Sequence, residues 1–360
     1  TFDKDAGSKT TYQYLKMFVK MGYSVKFLGD NFLHEEPYST TLQQMGVEIL
    51  YGPGYQAGIW DWLTKNKDEI DFAYLNRPHI AIKYIDFIKK NTNIKVIYYG
   101  HDLHFLREYR EYELTGDIQK KRESDYWKSI EFSLMEKAAV SYYPSYVEEE
   151  AIHAIHPEYK IRAITAYVYE KFLENIDKDF EKREGLLFVG GFAHPPNADA
   201  VLWFAKEIFP LIRQKLDVNF YVVGSKVTDE IKALEQPGSG IIVKGFVTEE
   251  ELASLYATSR IVVVPLRYGA GVKGKVVEAV YNGSAIVTTS IGSEGIPEAE
   301  RVMKVADGPE AFADEVVKMY QDPAECRRMC EETQKYIREY FSVEAAWKVI
   351  EGDFTPEKKR

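Results

Sequence analysis

The chain has 360 residues, 45 % hydrophobic and 28 % charged, with a formal net charge of −10. This balance is globular and excludes a disordered chain; at about 100–200 residues per domain the length favours two domains. An acidic chain without clustered Lys and Arg excludes nucleic acid as a partner. Two cysteines, Cys326 and Cys330, exclude a disulfide framework and a cysteine-rich zinc site, and no apolar run approaches the ~18–20 residues of a membrane span.

The start, TFDKDAGSKT, lacks a signal-peptide pattern and opens on Thr, as expected of an excised or processed piece. The run Asp3-Lys4-Asp5-Ala6-Gly7-Ser8-Lys9 reads as the loop that follows a buried strand. Either that strand precedes the chain or another segment takes its slot. Short β-branched and aromatic runs then alternate with amphipathic stretches, the mark of βα repeats around parallel sheets. Strands are expected over 23–28, 47–51, 72–75, 94–99, 140–143 and 160–164, and helices over about 10–21, 58–67, 80–90 and 124–137. The charged stretch 170–184, EKFLENIDKDFEKRE, marks the boundary.

The rhythm restarts with a strand over 186–189 that ends in Gly190-Gly191. A helix over about 198–215, a strand over 219–223, a helix over 229–235 and a strand over 241–243 follow. Thr248-Glu249-Glu250-Glu251 is a capping box opening a helix to 257. Strands over 261–265 and 285–288 flank a helix over 275–281, and helices near 309–320 and 323–340 precede a charged, solvated tail, 357–360. The fold class is α/β, two Rossmann-like domains facing across a cleft, which is where such folds bind ligands.

The densest chemical signal is Gly269-Ala270-Gly271-Val272-Lys273-Gly274-Lys275-Val276-Val277-Glu278, between a strand and a helix. Gly269, Gly271 and Gly274 permit positive φ and close approach to a ligand. The helix start offers unpaired amides and a positive dipole end, and Lys273 and Lys275 add two charges, a combination suited to a diphosphate. Glu278, about a turn inside the helix, can meet the vicinal hydroxyls of a ribose. A loop with solvated lysines is the lesser reading, because three glycines, two lysines and an acid share one junction. His101 and Asp102 follow an apolar strand; a His there is placed as a hydrogen-bond partner, and Asp102 can orient it or accept a proton. By position alone, a loop pair capping the next segment is an equal reading, and His104 is a bystander.

The run GAGVKGKVVEAVYNGSAIVTTSIGSEGI resembles the donor-site segment of GT-B glycosyltransferases, family-4-like ones in particular. LFVGGFAHPPNADAVLWFAKEIFPLI resembles the opening of their C-terminal domain. TFDKDAGSKTTYQYLKMFVKMGYSVKFLGDN resembles their N-terminal glycine loop, in a variant with Asp-x-Asp-x-Gly-Ser, and YYGHDLHFLREYREYELTGD their His-Asp loop. The resemblance covers about residues 1–345. It departs in two places: Ala270 stands where a first Glu is common, and the basic pair common after Gly191 is replaced by Phe192-Ala193-His194-Pro195-Pro196-Asn197.

The resemblance implies an N-terminal acceptor domain, 1–169, and a C-terminal donor domain, 170–360, with the last helix, about 336–352, packing back on the first. It implies a retaining, metal-independent transfer of sugar from a nucleotide-sugar to a glycan or lipid-linked acceptor, in cell-surface polysaccharide biosynthesis, with no cofactor. The expected setting is cytoplasmic, with room for peripheral association with the inner face of the membrane and for membership of a larger polypeptide.

His101, Asp102 and Lys273 are implied as catalytic. Donor contacts are implied for Gly7, Ser8, Gly191, His194, Asn197, Gly224, Gly271, Val272, Gly274, Lys275 and Glu278, and for the backbone of Phe246 and Val247 at the base. Arg267 either neutralises phosphate or pairs with a surface acid. Ser8 or Thr10 is an alternative helix N-cap, Asn197 a cap for its helix, and Phe246 also a candidate for core packing. Asp3 and Asp5 are acceptor contacts or loop caps. Tyrosines over 98–146 line an acceptor groove or pack with wet hydroxyls. Two rival functions remain: a nucleotide-sugar 2-epimerase, and a non-catalytic nucleotide- or sugar-binding module, to which Ala270 points.

Overall fold

The computed structural model describes Phe2 and residues 6–174, 180–269 and 271–355. Asp3, Asp5, Ala270 and the tail 357–360 lie outside the described residues. Two units divide the chain: 1–168 with 343–360, and 169–342.

The first unit holds α1 (Ala6–Lys20), β1 (Lys26–Leu28), α2 (Tyr38–Gln44), β2 (Glu48–Leu50), α3 (Pro53–Asn66), β3 (Phe72–Asn76) and α4 (Pro78–Asn91). It continues with β4 (Lys95–Tyr99), α5 (His104–Thr115), α6 (Ile118–Lys137), β5 (Val140–Tyr143), α7 (Tyr146–His153) and β6 (Ile161–Ala163). Four strands make a parallel sheet in the order β3-β4-β5-β6. Along β4, Val96 and Tyr98 enter one core with Ile85, Leu134 and Tyr143, while Ile97 and Tyr99 enter another with Tyr14, Phe18 and Tyr142. Side chains alternate across a strand, so a run that is apolar at successive positions is buried on both faces, as crossover helices require. In α1, Tyr14, Met17 and Phe18 recur at helical spacing and seal the second core.

β1 and β2 form a separate parallel pair. Among the described residues no strand joins β1 to β3.

The second unit runs β7 (Leu186–Val189), then α8 (Pro195–Trp203), a π-helical turn Phe204–Ile208 and α9 (Phe209–Arg213), then β8 (Phe220–Val223), α10 (Asp229–Lys232) and β9 (Ile241–Gly245). Next come α11 (Glu249–Thr258), β10 (Ile261–Val264), α12 (Gly274–Tyr281), β11 (Ile286–Thr288), α13 (Ser290–Ser293), β12 (Lys304–Val305), α14 (Pro309–Gln321) and α15 (Pro323–Phe341). Its sheet is parallel throughout, in the order β12-β11-β10-β7-β8-β9. The chain winds outward from β7 to β9, returns to β10 beside β7 and winds outward the other way. The crevice at the carboxyl ends of β7 and β10 is therefore a topological switch point, where such sheets bind ligands. The capping box of α11 is present: the Thr248 hydroxyl accepts the Glu251 amide at 3.2 Å, and the Glu251 carboxylate accepts the Thr248 amide at 3.4 Å.

The chain leaves the first unit at 168/169, ahead of the charged stretch, and rejoins it at 342/343. There α16 (Val343–Ile350) sets Val343, Ala346 and Ile350, with Phe354, into the core of Tyr14 and Phe18. Asp353 fastens this return by accepting from the Tyr142 hydroxyl at 2.8 Å and the Arg162 guanidinium at 2.9 and 3.1 Å. No described helix is long and apolar enough to cross a membrane.

Candidate functional site

The switch point is built from two strand ends. After β7, the Asn197 amide donates to the Gly191 carbonyl at 2.7 Å and closes the Gly190-Gly191 turn. A Cβ on Gly224, at the end of β8, would sit 2.0 Å from the Gly190 carbonyl oxygen. The close approach that excludes a side chain at 224 is thus made by the protein's own backbone. Asn197 lies inside α8 and does not cap it; the cap position is His194, whose side chain makes no capping bond and is exposed. The Asn197 Oδ1 is buried without a hydrogen-bond partner among the described residues.

After β10, Gly269 has φ +140° and Gly271 φ +71°, conformations that L side chains resist. Gly274 is the first residue of α12, a helical position, and Val272 is half-buried. Lys273 caps the helix by backbone position and keeps its side chain only 8 % exposed. Its ammonium donates to the Gly271 carbonyl at 2.5 Å and pairs with Glu294 at 3.2 Å. Lys275 is half-buried on the same turn. Burial, then the Lys273 charge, push its ammonium down to about 8 against the pull of Glu278. Among the described residues it has no hydrogen-bond or ion-pair partner. This is a concentration of positive charge that an anion would relieve.

The Arg267 guanidinium forks onto Asp199, with one N–H···O bond of 2.9 Å, and stands over the Trp203 ring at 5.5 Å. Phe246 follows Gly245 (φ +68°) and is 81 % exposed, so core packing is excluded; Val247 is half-buried. Glu294 had no pattern of its own to single it out, although it lies in the quoted glycine- and lysine-rich run.

In the first unit the end of β4 leads through Gly100 to His101, held at φ +67°. Its Nε2 lies 3.1 Å from Asn76 Oδ1 at the end of β3, and its ring packs on Tyr99 at 4.2 Å. Asp102 is engaged with His104 at 3.1 Å and with Arg107. His104 is no bystander: it lies 3.3 Å from Glu131, which is 0 % exposed. Burial opposes protonation of His104, but Glu131 and Asp102 outweigh it and raise its pKa. Arg107 also pairs with Glu108 at 3.0 Å, and Lys120 with Glu108 at 2.8 Å. Sequence reading missed Asn76, Arg107 and Glu131; their common signal is only that each is polar beside an apolar run.

Gly7 and Ser8 lie in the first turn of α1, which begins at Ala6. Thr10 is not a cap, because it lies inside α1, and its hydroxyl donates to the Ala166 carbonyl at 2.6 Å. The tyrosines of the sheet, Tyr98, Tyr99, Tyr142 and Tyr143, are buried, which takes them out of any groove lining. Cys326 and Cys330 are free and buried.

Comparison with known proteins fits this geometry. Residues 183–322 match the family model described as Glycosyl transferases group 1. Over 116 residues the chain is 32 % identical to a Klebsiella pneumoniae protein described as an uncharacterized 44.6 kDa protein in the cps region. The match spans 31 % of this chain and 30 % of that protein. Among solved structures, sucrose-phosphate synthase from Thermosynechococcus elongatus superposes with a TM-score of 0.69 at 14 % identity, over 96 % of this chain and 92 % of that one. HepE of Anabaena, solved with UDP and glucose, gives 0.66 at 13 % identity over 96 % and 95 %. A glycosyltransferase of Rickettsia africae gives 0.66 at 14 % identity over 94 % and 92 %. The chain thus has the GT-B fold of two Rossmann-like units, and its residues 183–322 carry the match to the group 1 glycosyl transferases.

Proposed function

We propose that the protein is a glycosyltransferase that moves a sugar from a nucleotide-sugar, held by the second unit, to a glycan or lipid-linked acceptor. The observation that carries this reading is the pair of buried Lys273 and half-buried Lys275 at the start of α12, at the switch point of the sheet, with Lys275 unpaired among the described residues. A diphosphate there gains two cations and the free amides of a helix start. As the bond from sugar to phosphate lengthens, charge grows on the leaving diphosphate, and the same groups stabilise it more strongly. Retention and metal independence belong to the proposal, with His101 and Asp102 acting on the sugar and the acceptor hydroxyl. Glu278 is proposed for the ribose, Phe246 and Val247 for the base, and Gly7, Ser8, Gly191, His194, Asn197, Gly224, Gly271, Val272 and Gly274 as the donor's close surroundings. Arg267, which pairs with Asp199, stays a candidate for the phosphate, as Lys273, paired with Glu294, does.

The partial likeness to a protein of a cps region supports surface-polysaccharide assembly as the setting, and the UDP in the HepE structure makes UDP-sugars the first donors to test. Thermal melting with UDP, GDP, dTDP and CMP identifies the base, because a ligand of the native state raises the melting point. Lys275→Ala is expected to cut transfer about tenfold, near 1.4 kcal/mol of transition-state stabilisation. Wild-type transfer by this variant at limiting donor would remove the basis of the reading. Nucleotide binding without turnover on any acceptor would favour a binding module.

A further inference from the structure

The first turn of α5 has a problem that its own sequence does not solve. Leu103 occupies the cap position and has no side-chain acceptor, so the amides that open the helix need partners from elsewhere. Glu131 of α6 supplies them. One carboxylate oxygen accepts the His104 amide at 2.9 Å and the other the Phe105 amide at 3.1 Å, from 27 and 26 residues along the chain. The same carboxylate meets the His104 ring at 3.3 Å, and that ring also meets the Asp102 carboxylate at 3.1 Å. A fully buried carboxylate is expensive unless its oxygens are satisfied, so its position is tightly determined. Immediately before this turn stand Asp102 and His101, the latter in a left-handed conformation that a non-glycine residue keeps only when its surroundings enforce it.

We infer that Glu131 is a positioning residue for the His101–Asp102 loop: its two oxygens, clamped on the amides of His104 and Phe105, fix the backbone from which His101 and Asp102 project. This rests on the proposed role of that loop in sugar transfer. Glutamine is the informative replacement because it has the same shape. It offers one acceptor where two are required, and its amide donors face an N–H. The helix start loses one anchor with no cavity formed. Reacting groups displaced by about 1 Å can lose on the order of a hundredfold in rate.

The experiment uses the full chain with ring-labelled histidine. In Glu131→Gln, the NMR signals of both His104 and His101 are expected to move, while those of His153 and His156 stay. With the nucleotide-sugar that the wild type uses, kcat falls tenfold or more and the donor KM stays within twofold, because the groups proposed to grip the diphosphate and the base lie in the second unit. A lowered melting point with His101 unmoved and kcat per folded molecule unchanged would make Glu131 a structural residue only and overturn the inference. If the wild type transfers no sugar, the functional reading fails by itself, and the His101 signal still decides whether the clamp acts on the loop. Should Glu131→Gln not fold, Glu131→Asp, which withdraws the carboxylate by one methylene, takes its place with the same readouts.

Discussion

At the end of β4, opposite charges meet in sequence: Asp102 with His104 and Arg107, Glu108 with Arg107 and Lys120, Glu131 with His104. At the start of α12, Lys273 pairs with Glu294, and Lys275 stands beside it with only the longer-range pull of Glu278. Both clusters sit at carboxyl ends of parallel strands, yet they are suited to different tasks. A cluster whose charges satisfy one another holds a shape, and an incoming ion must displace a partner already present. A partly buried ammonium without a partner costs stability in the empty protein, and an anion recovers that cost on binding. On the proposed function, the first unit serves as a fixed template and the second as a receptor for a diphosphate.

The largest expected effect tests the receptor. Lys273→Ala removes a cation from the diphosphate and leaves Glu294 and the Gly271 carbonyl without their partner. Transfer is expected to fall at least a hundredfold, about 2.7 kcal/mol, with a lower melting point. Activity within threefold of wild type would erase the contrast between the clusters. Next is proton uptake. The folded-state pKa of Lys275 is depressed, so between about 8 and the ordinary value of 10.5 the unfolded chain holds more protons and stability from this group rises with pH. A bound diphosphate restores the charge, so UDP binding at pH 9 should take up close to one proton, visible as a buffer-dependent binding enthalpy. Lys275→Ala should abolish that dependence.

Smaller effects sharpen the template side. Lys120 is partly exposed among Glu108, Glu111 and Glu123. Its alanine variant should lose no more than about 1 kcal/mol in urea unfolding and bind nucleotide as tightly as wild type. A tenfold loss of nucleotide affinity there would mean that the first unit shares the receptor role. The least effect on folding is expected at Phe246. Because its ring is exposed, Phe246→Ala should leave stability within about 0.5 kcal/mol. A several-fold weaker nucleotide affinity would place the base against that ring.

Elements with strong local patterns were legible. The strands at 140–143 and 186–189 stand where their β-branched and aromatic runs put them. α5 was not legible as a helix: its buried face includes Phe105 and Glu108, so the hydrophobic periodicity is interrupted by a charge. α16 was legible only as part of a longer last helix, because the break at Ser342 carries neither glycine nor proline. Within the site, Lys273, Lys275 and the glycines were visible because they are adjacent in sequence. Arg267 was ambiguous because its acid lies 68 residues away, and Glu131 was silent because its partners lie 26 and 27 residues away.

The sequence by itself determined the alternation of strand and helix, the restart after residue 184 and the glycine- and lysine-rich helix start, since each is written in neighbouring residues through steric freedom, side-chain periodicity and charge. Only the tertiary structure decided that Arg267 meets Asp199, that Lys273 meets Glu294, that the chain returns through α16 to the first core, and that a buried glutamate accepts the amides that open α5. These pairings join residues far apart in the chain. Folding sets their distances, and no local pattern of residues encodes them.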